Sequence, residues 1–250
     1  VKGSALRHRV MPSPNVEPRQ DGKTVRILLL HYTGMDDAER ACAWLCDPIS
    51  KVSCHYLVDA EGRITQMVDE DLRAWHAGQS IWKGEHDINS CSIGIEIHNP
   101  GHDNGYPDFP PAQQAAVGAL GLDIVRRHRI APEHVLAHSD VAPRRKIDPG
   151  EKFDWRDLHE QGLGHWVAPH PLGGGQFFQM GDSGDAVEAL QAMLALYGYG
   201  IDITGEFDAD TKAVVGAFQR HFRPERVDGI ADRSTIETLR RLIDALPDST

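Results

Sequence analysis

Three short aliphatic runs, far apart in the chain, each carry a residue able to bind a metal or move a proton, and this pattern constrains the fold most. Val25 to His31 is a Val/Ile/Leu segment with one Arg, bounded by the polar "QDGK" and a Thr33-Gly34 turn, as expected for a strand buried on both faces. His31 stands at its C-terminal end. Ser92 to His98 alternates, so Ile93, Ile95 and Ile97 share one face and Gly94, Glu96 and His98 the other. The segment "VLAHSD" is a third short buried strand, delivering His138 at its end.

The connections predict a mixed α/β layer fold, a β-sheet flanked by helices. A helix is expected over Ala38 to Leu45. A longer amphipathic one covers Pro111 to His128, where Val117, Leu120, Ile124 and Val125 recur at helical spacing behind N-terminal prolines. "CHYLVDAEGRITQMV" predicts a hairpin turning at Ala60-Glu61-Gly62, antiparallel structure at the side of the sheet.

At 250 residues the chain exceeds one compact core, and "APHPLGGGQ" at 168–176 breaks both helix and strand. We therefore expect an N-terminal extension at 1–24, an α/β domain at 25–168, a linker at 169–178 and a small three-helix domain at 179–250. The last carries a repeat of period 24, in which Gly205, Asp208, Thr211, Val215 and Phe218 correspond to Gly229, Asp232, Thr235, Leu239 and Leu242. Each Asp is placed to cap a helix whose first turn holds the Thr.

A net charge of -11, from 37 acidic against 26 basic residues, offers no footprint for a phosphate backbone and argues against nucleic acid as a partner. The apolar runs fall far short of the roughly 20 residues that cross a bilayer, so no transmembrane segment is expected. Residues 1–24 show no export pattern, and any such signal is expected to have been removed or never to have existed. Cys42, Cys46, Cys54 and Cys91 permit disulfides without requiring them; with no CxxC pair, ordinary buried thiols fit better than a Cys-rich zinc site. Nothing points to an obligate protein partner.

A hydrolytic zinc site needs three protein ligands and an open position for water. His31, His138 and Asp148 can supply that set, or can be ordinary hydrogen-bonded residues at a sheet edge. Lys146 and Asp148, two apart in a proline-flanked loop, project the same way if that backbone is extended. Lys146 can equally be a solvated lysine beside Arg144 and Arg145. His55, inside an apolar hairpin, reads as a packed core residue, whereas His98, sharing a face with Glu96, is a rival ligand.

The segments "LLLHYTG", "SCHYLVD", "RAWHAGQS", "NSCSIGIEIHNPG", "LAHSDVAPRRKIDPG" and "FDW" occur in the order found in the N-acetylmuramoyl-L-alanine amidases of type 2, and residues 25 to about 166 resemble that family. The resemblance implies the amidase type-2, peptidoglycan-recognition-like fold, with Zn2+ held by His31, His138 and Asp148. It implies Glu96 as the catalytic carboxylate and Lys146 near the developing oxyanion. Trp75 and His76, with Gly78, resemble part of a substrate groove, and Asn89 and Asn99 flank the Glu96 strand where they can bind peptide or sugar. A related branch carries Tyr where Cys54 stands and often Cys where Asp148 stands, so this chain follows the branch that uses Glu96.

Residues 179 to 246 resemble the three-helix peptidoglycan-binding module found beside wall hydrolases. The implied activity is hydrolysis of the amide between N-acetylmuramic acid and L-alanine, in peptidoglycan or muropeptide fragments, for wall degradation, remodelling or recycling. A periplasmic, outer-membrane-associated or secreted location is expected, with the cytoplasm left open. Two rival readings are a non-catalytic peptidoglycan recognition protein and a zinc peptidase cutting within the stem peptide.

Overall fold

A computed structural model describes residues 1–247. Its centre is a six-stranded sheet in the order β1-β5-β4-β7-β3-β8, built from β1 (Arg9–Val10), β3 (Ile27–Tyr32), β4 (Tyr56–Val58), β5 (Ile64–Gln66), β7 (Ser92–Ile97) and β8 (Val135–Ala137). β3 lies parallel to both β7 and β8, while β4 and β5 form the expected antiparallel hairpin. The register pairs Leu28 with Ile93 and Leu30 with Ile95, placing one aliphatic row on a single face.

That face is covered by α3 (Pro111–His128), which opens on Pro111 and ends at Arg129 in the left-handed conformation. Its buried Val117, Leu120 and Ile124 pack with Leu28, Leu30 and the three isoleucines of β7. Arg126, Arg127 and His128 in its last turn complement the helix dipole. A shorter helix, α1 (Ala38–Leu45), starts where Asp37 accepts the backbone N–H of Arg40.

Residues 1–24, expected as an extension, are built into this fold. Arg9 and Val10 pair with β5, and β2 (Val16–Pro18) pairs with β6 (Leu72–Ala74) in a second, two-stranded sheet. The Arg19 guanidinium donates to the carbonyls of Ser90, Ser92 and Glu70. The segment is polar because its contacts are backbone pairings and buried hydrogen bonds, which leave no apolar periodicity to read.

Glu70 ties the same region to α3. Its fully buried carboxylate accepts from Tyr56, His128 and both terminal nitrogens of Arg127. Burial alone would raise its pKa, but the hydrogen bonds from Arg127, His128 and Tyr56 outweigh this and bring it down to about 2. A folded pKa below the unfolded value of about 4.3 contributes stability that is complete above that value and is lost as pH falls towards 2. Glu70→Gln is expected to cost about 2–3 kcal/mol at neutral pH and to flatten the stability profile between about pH 4.5 and 2, measured by urea denaturation at several pH values.

Among the described residues the C-terminal region contains three α-helices, α6 (Asp185–Tyr197), α7 (Ala209–Phe222) and α8 (Arg233–Asp244), numbered after the three short helices α2 (Ile88–Cys91), α4 (His138–Val141) and α5 (Trp155–Glu160). The repeat is visible in the caps: Asp208 and Asp232 accept the N–H of Thr211 and Thr235, each at 2.8 Å. Two buried glutamines complete it. Gln191 accepts from the N–H groups of Thr204 and Gly205, and Gln219 from those of Asp228 and Gly229.

These helices do not hang free of the sheet. One apolar cluster runs from Ile27, Leu29 and Leu136, on the sheet face opposite α3, through Trp82 to Leu190, Tyr197, Val214 and Phe218. Lys83 N–H donates to the Gly198 carbonyl at 2.8 Å, and a Cβ on Gly198 would lie 2.6 Å from the Trp82 ring, so glycine is what lets the chain approach. The Gly-rich connection is pinned as well, for His170 N–H donates to Thr238 and its carbonyl accepts from Ser234.

Candidate active site

Three adjacent parallel strands deliver three of the expected residues side by side. His31 in β3 is in register with Glu96 in β7, and Leu30 is in register with Ala137, so His138 emerges from β8 on the other side of His31. The site thus lies at the C-terminal edge of parallel strands, where side chains of neighbouring strands converge. Asp148 reaches it from the loop after α4, with the Ser139 N–H donating to its carbonyl at 3.1 Å.

The ligand atoms meet closely. His31 Nδ1 lies 2.8 Å from His138 Nδ1, and Asp148 Oδ2 lies 3.1 Å from His138 Nδ1 and 3.4 Å from His31 Nδ1. Donors about 2.0–2.2 Å from a tetrahedral ion sit about 3.3–3.6 Å apart, so small outward movements fit one cation. Among the described residues this is the group of His, Cys, Asp and Glu side chains that can share an ion.

The far side of each imidazole fixes which nitrogen faces the centre. His138 Nε2 donates to the Ala77 carbonyl at 3.0 Å, leaving a lone pair on Nδ1. His31 Nε2 meets His76 Nδ1 at 2.9 Å, and His76 Nε2 meets Ser92 Oγ at 3.2 Å, a relay that leaves the His31 Nδ1 lone pair free. Gly94 makes room for it, since a Cβ there would lie 2.6 Å from the His76 ring. Burial and the neighbouring His138 bring His31 down to about 4, keeping it neutral at ordinary pH. Burial raises the Asp148 pKa but its imidazole partners His138 and His31 win, holding it below the usual carboxylate range. Two imidazoles and a carboxylate suit a borderline divalent ion.

Glu96 is shifted in the opposite direction from Asp148. Its Oε2 is buried with no hydrogen-bond partner among the described residues, and burial, then the charge of Asp148, drive its pKa well above normal, against the pull of Lys146. Glu96, Lys146 and the three ligands line one cleft of about 280 Å³, with Trp75 and His76 in its wall. A larger groove of about 630 Å³ at the junction with the helical region, lined by Lys83, Arg144 and Tyr199, holds no converging acid, base and ligand set.

Other expected residues fall elsewhere. Asn89 and Asn99 do not line the cleft: Asn89 Oδ1 accepts the N–H groups of His76 and Ala77, and Asn99 bridges Pro107 and Gly101. Asn89 therefore shapes the loop bearing His76. His98 is neither in the ion-sharing group nor in the cleft, which removes it as a rival ligand. His55 is a satisfied core residue, accepting from Gly94 N–H and donating to the Leu72 carbonyl. All four cysteines are free thiols. The sequence reading missed Trp44, a half-exposed aromatic in the cleft wall; its place off the buried stripe of Ala41, Cys42 and Leu45 was the available signal.

Residues 21–151 match the family model described as N-acetylmuramoyl-L-alanine amidase, and residues 183–239 match one described as a peptidoglycan binding domain. The chain is 39% identical over 228 residues to the N-acetylmuramoyl-L-alanine amidase AmiD of Escherichia coli, an alignment covering 84% of this chain and 79% of that protein. The solved complex of E. coli AmiD with the substrate anhydro-N-acetylmuramic acid-L-Ala-D-gamma-Glu-L-Lys is similar, with a TM-score of 0.76, 37% identity, and coverage of 91% of this chain and 92% of that one. The crystal structure of AmpDh3 from Pseudomonas aeruginosa has a TM-score of 0.74 at 33% identity, covering 92% of this chain and 96% of that one. With His31 and Glu96 on adjacent strands, His138 just past the end of β8 and Asp148 on the loop after α4 all lining one cleft, and more than half its length matched, this chain belongs to the N-acetylmuramoyl-L-alanine amidase family.

Proposed function

We propose that the chain hydrolyses the amide bond between N-acetylmuramic acid and L-alanine of peptidoglycan, with zinc held by His31, His138 and Asp148. The observation that carries this reading is the convergence of those three side chains in one open cleft with Glu96, whose Oε2 is buried and has no hydrogen-bond partner among the described residues. Zinc bound there supplies Lewis acidity, lowering the pKa of a water to about 7 and polarising the scissile carbonyl.

Glu96 takes a proton from the attacking water and passes it to the departing amine of L-alanine, so that the water oxygen joins the lactyl carbonyl as the C–N bond breaks. Its Oε2, without a hydrogen-bond partner among the described residues, is free to take and hold that proton between those steps. Lys146, on the loop of Asp148, offers its ammonium to the oxyanion that forms on the carbonyl. Trp75 forms a flat wall for the substrate, and His76 keeps the His31 imidazole oriented.

In this reading residues 179–250 bind the wall polymer and residues 25–168 cut it, in the cell envelope where that polymer lies. No helix among the described residues is long and apolar enough to cross a membrane. Mass spectrometry of sacculi treated with the zinc-loaded protein tests the proposal. Intact stem peptides with a free N-terminal L-alanine, and glycans keeping their lactyl groups, are expected. Internally cut peptides would replace it with the peptidase reading, and no products with the recognition protein.

A further inference from the structure

Of the buried carboxylates that the mechanism above leaves unused, Asp140 lies two residues from a ligand. Asp140, fully buried in α4, accepts the Ala137 N–H and the His221 Nδ1–H through Oδ2, at 2.8 and 2.7 Å. Its Oδ1 accepts the Tyr199 hydroxyl at 2.8 Å. His221 belongs to α7 and Tyr199 follows α6, so two of the three donors come from the helical region. Both are themselves fixed. The His221 ring, 2% exposed, stacks on Trp155 of α5 at 3.7 Å between centroids, and Tyr199 packs edge-on against Trp82 at 5.1 Å.

The helix they grip is the one that begins with His138. α4 has four residues, too few to hold a helical geometry without tertiary support. Asp140 supplies that support by capping Ala137, and the N–H of the intervening Ser139 holds the Asp148 backbone. We propose that His221 and Tyr199 are positioning residues for the metal centre: by anchoring Asp140 they fix α4, and with it the direction of the His138 imidazole. The helical region is then part of the metal-binding apparatus as well as a wall-binding module. Partners that orient ligands are worth about 10- to 100-fold in metal affinity, and a group acting through one more residue belongs at the lower end. This inference rests on the metal reading of His31, His138 and Asp148.

The test uses the full chain, stripped of metal, with zinc rebinding measured by competition against a chromophoric chelator and cobalt substituted for a visible spectrum. His221→Ala is expected to bind zinc about tenfold more weakly and to shift the cobalt absorption. His221→Asn, which keeps an N–H donor near the Nδ1 position, is expected to recover most of the affinity. Tyr199→Phe removes one hydroxyl, is expected to weaken zinc about three- to tenfold, and decides the matter should His221→Ala fail to fold. Wild-type affinity and an unchanged cobalt spectrum in the folded variants would overturn the inference while leaving the metal reading intact. Absence of zinc binding by the unaltered protein would overturn both.

Discussion

Asp148→Ala is expected to lose both tight zinc binding and turnover. Asp148 is the one anionic member of the ligand set, and its carboxylate faces both imidazoles at 3.1 and 3.4 Å. Without it, two imidazole nitrogens 2.8 Å apart remain to hold a doubly charged ion in a buried site. Partners outside the ligand set are worth about 10- to 100-fold in affinity, so removing a ligand should exceed about 100-fold. Atomic emission on the dialysed, folded variant measures this directly. Zinc at full stoichiometry would remove Asp148 from the ligand set and with it the geometry on which the hydrolytic reading is built.

Glu96→Ala should do the opposite to the metal and much the same to the rate. Glu96 lies outside the group of atoms that can share an ion, so zinc content should stay at wild-type stoichiometry. Loss of a positioned general base and acid typically costs about 100- to 10,000-fold, here expected in kcat with little change in KM, because the proton transfers occur after binding. Turnover within a few-fold of wild type would assign the proton transfers to another group. The pair of variants separates holding the ion from moving the proton.

Much of the architecture was legible before any coordinates. The Ile93, Ile95, Ile97 row and the aliphatic run ending at His31 lie in the core as the alternation predicts. The helix at Pro111–His128 and the two Asp-Thr caps follow from local signals that need no partner. Other features had no local signal. A polar N-terminal segment joins the sheet through its backbone, and backbone pairing leaves no trace in side-chain pattern. His98 shared the alternation of Glu96 yet lies outside the cleft, since period two assigns a face and not a depth along the strand.

By itself, the sequence determined which residue types could hold a divalent ion and move a proton, and on which strand ends they stand, because burial and alternation are short-range consequences of side-chain chemistry. Only the tertiary structure decided that His31, Glu96 and His138 are neighbours, because that depends on strand order and register across more than a hundred residues. It also decided that His76 and Ala77 orient the imidazoles, and that Asp140 is gripped by Tyr199 and His221. A hydrogen bond between distant residues is a fact of packing, and no local periodicity encodes it.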